Sequence, residues 1–151
     1  MQVFFVTMTF ETGNSAGFLA NHMARLFAAG LARRIQPLGL APAQFMVLLV
    51  LWDGDGLTQR DLVERLDVEQ ATMANTLARM ERDGLITRQP SPTDKRARIV
   101  RLTDKARALE GDAKAAAQAQ NNAALSGLSA AEADQLVDLM RRVVGTMQRR
   151  A

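Results

Sequence analysis

The hydrophobic pattern changes period once, and that change restricts the fold more than any other feature. Met73, Leu77 and Met80 recur at spacings of four and three, the stripe of a helix buried on one side. Gly84 then supplies a stop signal of the left-handed type. Beyond it, Leu85-Ile86-Thr87-Arg88 and Ile99-Val100-Arg101-Leu102 read as two short strands. Between them, Gln89 to Arg98 carries two prolines and three basic residues. This predicts a hairpin whose tip projects from the body.

Elsewhere helical periodicity dominates. Leu19, Met23, Leu26, Phe27, Gly30 and Leu31 form one stripe from Ala16 to Ile35, which Pro37 and Gly39 end. Pro42 opens a second helix with Phe45, Leu48, Leu49 and Trp52 on its buried side. Asp53-Gly54-Asp55-Gly56 is a turn. Thr58 with Asp61 forms a capping box for a short helix ending at Leu66, with Leu62 and Leu66 buried. The tight connection Asp67-Val68-Glu69 leads to a helix over Gln70–Arg82. After the hairpin, Thr103 caps a long alanine-rich helix, Asp104 to Ala124. Ser129 and Glu132 form a capping box for a last helix, with Leu136, Leu139, Met140, Val143 and Met147 on its apolar side. The order is α-α-α-α-β-β-α-α, mainly helical with one small β-hairpin.

Composition narrows the function. The 151 residues suit one domain, and 48% hydrophobic content supplies a core. No cysteine is present, which excludes disulfides, thiolate metal sites and cysteine redox sensing. With one histidine, His22, neither a histidine-rich metal site nor a Ser/His/Asp triad is expected. Scattered carboxylates offer no convergent catalytic set, so an enzyme is not expected. No cofactor is expected either. No apolar run approaches the roughly 20 residues of a membrane span. Met1–Thr7 is apolar but lacks the basic start and long apolar core of a signal peptide, so the expected location is cytoplasmic. That segment reads either as a misassigned start, with Met8 the true one, or as an arm packing on a partner subunit.

Charge is uneven. Arg79–Arg107 holds nine Lys/Arg and four Asp/Glu, a local +5 in a chain of net +3. A basic stretch in a near-neutral body suits an anion, nucleic acid first. Two helices joined by a tight turn and followed by a basic hairpin make a winged helix-turn-helix. Its second helix must be buried on one side and polar on the other, because the polar side enters the major groove. Gln70, Ala71, Thr72, Asn75 and Thr76 lie on that polar side. Of these, Gln70, Thr72 and Asn75 suit base edges, and Asn and Gln match adenine. Arg79 suits a phosphate. Thr58 and Gln59 present amides and polar side chains to the phosphates. At the hairpin tip, Lys95, Arg96 and Arg98 suit a minor groove, whose negative potential attracts arginine.

Leu57-Thr58-Gln59-Arg60-Asp61-Leu62, Ala71-Thr72-Met73, Leu77–Ile86 and above all Asp94–Thr103 resemble the MarR family of bacterial transcriptional regulators. The resemblance implies a homodimer on double-stranded DNA, with one recognition helix per half-site of a palindromic operator. It implies a DNA-binding lobe over residues 42–103 and a dimerisation region over 15–36 and 104–150. It places Arg96 in the minor groove and has Asp94 fix the wing through a salt bridge with Arg98. Asn75 departs from the arginine frequent in the family, which shifts the expected base at that contact from guanine towards adenine.

The resemblance also implies a repressor released by a small-molecule effector, such as an aromatic acid. His22, Met23, Leu26, Phe45 and Trp52 would line its pocket, with His22 facing a carboxylate. Phe45 and Trp52 read first as plain core, and His22 as a surface or interface residue. The competing reading is a winged-helix protein-interaction module without specific DNA binding. The Asp94-x-Arg96 arrangement and Arg79 argue against it.

Overall fold

The computed structural model describes residues 9–150, so the apolar segment 1–7 and Met8 lie outside the described residues. Helix α1 (Ala16–Ile35) starts at Ser15, whose hydroxyl accepts from the Phe18 amide at 3.2 Å. A short 3₁₀ turn, Gln36–Leu38, and Gly39 at φ 76° close it. Helix α2 (Pro42–Asp53) begins with its proline, where a missing N–H costs nothing. Helices α3 (Gln59–Leu66) and α4 (Gln70–Arg82) follow, joined through Asp67 in the left-handed region at φ 51°.

The end of α4 shows why Gly84 sits where it does. Its φ of 74° lets the Leu85 amide reach the Met80 carbonyl at 2.9 Å and its own amide reach Glu81 at 3.1 Å. These paired bonds satisfy carbonyls the helix leaves open, and a side chain at this φ would be strained.

The sheet has three strands, β1 (Leu57–Thr58), β2 (Ile86–Pro90) and β3 (Arg98–Leu102), in the order β1-β3-β2, all antiparallel. Ile86 faces Leu102 and Pro90 faces Arg98 across the hairpin, while Leu57 faces Val100. The periodicity predicts only the hairpin, because two residues are too short to show an alternation. The tertiary pairing of Leu57 with Val100 creates β1. Asp55 braces this corner. Its Oδ1 accepts from the Gly56 and Leu102 amides at 2.8 and 3.0 Å, and its Oδ2 pairs with Arg107 at 2.9 Å.

The expected single helix over Asp104–Ala124 is divided into α5 (Asp104–Ala108) and α6 (Glu110–Ala124). At the break the Leu109 amide bonds three residues back, to Ala106, with Leu109 packed against the core. Helix α7 (Ala130–Arg150) opens with the expected box, Ser129 and Glu132 exchanging bonds at 2.9 and 3.1 Å.

One hydrophobic cluster joins α2, α3, α4 and the sheet. It includes Leu48, Leu51, Leu62, Met73, Leu77, Met80, Ile86 and Val100, and it continues through Ala106 and Ala113. The core therefore crosses the boundary expected at residue 103. Trp52 reinforces that crossing, its indole N–H donating to the Ala106 carbonyl at 3.1 Å. Gln44, 6% exposed, is the one buried polar side chain of this core among the described residues. Its amide oxygen accepts from the Ala41 amide at 3.1 Å and its nitrogen donates to Asp83 at 3.0 Å, so no polar valence is stranded. The bond ties the start of α2 to the end of α4.

Helix α1 crosses α6 where Gly30 meets the Gln120 side chain, which occupies the space a Cβ at position 30 would need. Arg34 Nε donates to Gln120 Oε1 at 3.1 Å beside it. Helix α7 behaves differently. None of its residues is buried, and Gln148 near its end donates to Asp67 at the α3–α4 turn, 2.9 Å away.

Candidate nucleic-acid interface

Helix α4 has the two faces that its sequence predicts. Met73, Leu77 and Met80 are buried to 1% exposure or less. Gln70, Ala71, Thr72, Asn75 and Arg79 are exposed. Thr76 is half-buried and donates its hydroxyl to the Thr72 carbonyl at 3.0 Å, so it is left as an acceptor on that face. The buried face fixes the helix rotation. The exposed face is thereby held at one angle to solvent.

Helix α3 is anchored at its start. Thr58 Oγ1 accepts from the Asp61 amide at 3.1 Å, and Asp61 Oδ2 accepts from the Thr58 amide at 2.9 Å. The Thr58 amide, and after it the Thr58 hydroxyl, hold the Asp61 carboxyl below its ordinary pKa. Thr58 and Gln59 thus stand at a fixed helix N-terminus beside α4.

The wing folds by local bonds at its tip. Ser91 Oγ accepts from the Thr93 and Asp94 amides, and Asp94 Oδ1 accepts from the Arg96 amide at 2.9 Å. The expected Asp94–Arg98 salt bridge is not formed. Asp94 instead turns the backbone just before Arg96, an Asx-type bond two residues long that competes well with a distant side chain. Arg98 donates to the Arg88 carbonyl across the hairpin at 3.3 Å. Lys95 and Arg96 are exposed at the tip.

A cleft of about 410 Å³ lies between the wing and the starts of α3 and α4. Thr58, Gln59, Gln70, Asp94, Arg96 and Arg98, all singled out from the sequence, line it. Arg60 and Arg88 line it too and were not among the residues expected there. Arg88 carries a second role. Its guanidinium meets both Glu81 carboxylate oxygens at 3.3 Å, joining the wing base to the last turn of α4. This contact, chiefly its hydrogen bonds, lowers the Glu81 pKa. The pair spans seven residues and two element types, so neither helical nor strand periodicity signals it.

The expected effector residues do not converge. His22 lies on an exposed stretch of α1, edge-on to Phe18 at 6.0 Å, and Leu26 is 60% exposed. Trp52 packs edge-on against Phe45 at 6.1 Å with its N–H committed to Ala106. Met23 lines an adjoining recess between α1, α6 and α7, which shares Phe27 and Asn121 with the cleft between α1, α2 and α6. Of the five, only Phe45 faces the largely apolar cleft of about 480 Å³ between α1, α2 and α6, which is open to solvent. Helix phase is the reason. Ala24, Phe27, Ala28 and Leu31 share the face towards the cavity. His22 and Leu26 are each two residues from Ala24, about 200° around the axis, and point away.

A buried-backed polar helix beside a basic wing defines a winged helix-turn-helix DNA-binding protein. The MarR-family model matches residues 38–97, the segment holding α2–α4 and the wing tip. A probable transcriptional regulator of Pseudomonas aeruginosa is 30% identical, with a TM-score of 0.82 over 88% of this chain and 99% of its own. A mutant MarR of E. coli complexed with operator DNA is 27% identical, with a TM-score of 0.78 over 84% of this chain and 91% of its own. CouR of Rhodococcus jostii RHA1, bound to p-coumaroyl-CoA, shares the fold at 22% identity, with a TM-score of 0.78 over 93% and 96%. The chain belongs to the MarR family of transcriptional regulators.

Proposed function

We propose that this protein is a homodimeric repressor that binds a palindromic operator and releases it when a small molecule occupies the protein. The observation that carries the reading is the shared cleft. Gln70 at the start of α4, Thr58 and Gln59 at the N-terminus of α3, and Arg96 and Arg98 of the wing stand around one concave surface. Gln70, Thr72 and Asn75 read base edges in the major groove, with Asn75 directed to adenine. Thr58 and Gln59 hold phosphates, and Arg79 a further one. Arg96 enters the minor groove, and Asp94 orients it through the backbone.

Dimerisation follows from the exposed apolar faces of the outer helices. Phe18, Leu19 and Leu26 of α1 and Val137, Leu139, Met140, Val143 and Met147 of α7 are 42–68% exposed in the single chain. A second copy would cover them. The operator-bound E. coli relative supports DNA as the partner.

Selection of bound duplexes from a random pool at two salt concentrations tests the reading. The expected result is an enriched near-palindrome with half-sites about one helical turn apart. Unselective binding with a steep salt dependence would leave electrostatic attraction alone and favour the protein-interaction reading.

A further inference from the structure

Helix α7 is 21 residues long, about 31 Å, and its two ends meet different parts of the chain. Near its start, Leu136, Val137 and Met140 line a recess with Met23 and Phe27 of α1. In its last turn, Gln148 Nε2 donates to Asp67 Oδ2 at 2.9 Å. Among the described residues this is the one side-chain hydrogen bond that leaves α7 and its cap. The others, Arg141 to Asp138, Thr146 to the Arg142 carbonyl and Arg149 to Thr146, stay within the helix. Arg149 is thereby turned back along α7, and the Gln148 amide meets the carboxylate instead. The acceptor is placed to pass on a displacement. Asp67 closes α3 at φ 51° and stands three residues before Gln70, the first residue of α4. Met147, next to Gln148 and about 100° around the axis, is 68% exposed on the apolar face of α7.

We infer that Gln148 is a positioning residue of the operator complex: its bond to Asp67 fixes the α3–α4 turn, and with it the start of α4, to the helix that carries the subunit seam. The inference rests on the proposed homodimer on a palindromic operator. In that dimer the partner fixes α7, and the tie converts the position of α7 into the position of Gln70. Two ties, one per protomer, then narrow the range of separations the two recognition helices accept. One base pair more or less between half-sites moves them by about 3.4 Å along the duplex and about 35° around it. A lobe held at its turn as well as through its core follows such a change less readily. The effect is modest, because a hydrogen bond between exposed groups is worth about threefold, and two act together.

The test uses full-length protein and the selected operator, with duplexes whose spacer is longer or shorter by one base pair. The spacing preference is the ratio of affinity for the selected spacer to affinity for the altered ones. Gln148→Glu sets two carboxylates against each other and should lower that ratio about threefold per tie, about tenfold for the dimer. Adding Asp67→Asn remakes the bond with donor and acceptor exchanged, and asparagine tolerates the left-handed backbone, so the double variant should regain the wild-type ratio. Base preference within each half-site should not move, and sedimentation should show dimers throughout. Hydrogen exchange of the residue 67–70 amides, without DNA, should quicken about threefold in Gln148→Glu and return in the double variant. An unchanged ratio or unchanged exchange in Gln148→Glu would overturn the inference, as would a double variant that stays at the single variant's value. A monomeric Gln148→Glu protein would also overturn it, since the residue would then belong to the seam. A wild type that enriches no near-palindrome defeats the operator-binding dimer itself, whereas a palindrome with an unmoved ratio defeats the tie alone.

Discussion

The central lobe and the outer helices of this chain use apolar side chains in opposite ways. In α2–α4 and the sheet, apolar residues turn inward and close a core in which Leu48, Leu62, Leu77 and Met80 are 0% exposed. In α7 they turn outward, and no residue is buried. The lobe satisfies its own hydrophobic demand. Helix α7 cannot, because it packs on little of its own chain, and its apolar face requires another surface. The lesson is that the lobe closes its apolar surface on itself, whereas α7 leaves an apolar face open.

Breaking the lobe should have the largest effect. Leu77→Ala should cost about 2–5 kcal/mol of stability, read from urea unfolding, because the tightly filled core cannot collapse into the cavity. The mirror substitution in the outer region, Leu139→Glu, should leave the lobe's unfolding free energy within about 0.5 kcal/mol while sedimentation shows monomers. An intact dimer would remove the centre of α7 from the seam.

Within the interface, Arg96→Ala should weaken operator binding and reduce preference for a narrow minor groove, measured at physiological salt. Asn75→Ala should flatten discrimination at one base pair per half-site by about 1–3 kcal/mol. An unchanged base preference would take Asn75 out of the reading set.

The smallest effects concern caps. Thr58→Ala should cost the lobe about 1 kcal/mol by removing the hydroxyl that accepts from Asp61. Asp61 and Glu132 both have lowered pKa values, each chiefly through a backbone amide, of Thr58 and of Ser129. A carboxylate whose folded pKa is depressed stabilises above its unfolded pKa, and that stability is lost as pH falls through the folded value. Asp61→Asn should therefore flatten the acid limb of lobe unfolding. Glu132→Gln should leave that limb unchanged, since its cap serves α7. Equal responses to the two changes would erase the distinction between the regions.

Much of the site was legible because its signals are short. Thr58 and Asp61 cap each other across three residues, and Gly84 ends α4 by its own backbone freedom. The polar face of α4 follows from the spacing of Met73, Leu77 and Met80. The salt bridge expected between Asp94 and Arg98 is replaced by a local bond, in which Asp94 accepts from the neighbouring Arg96 amide. Arg88 was missed because Glu81, its partner, lies in a different kind of element.

The helices up to the hairpin, the caps at Thr58 and Ser129 and the basic wing were settled by residues a few positions apart, where propensity, periodicity and side-chain reach act directly, whereas the break between α5 and α6 was not. The pairing of Leu57 with Val100, the bridge from Gln44 to Asp83 and the wall of the α1–α2–α6 cavity were decided only in three dimensions. Each depends on how one element is rotated and offset against another. A periodic stripe shows that a helix has a buried side, but which neighbour each residue of that side meets is set by packing the whole core at once.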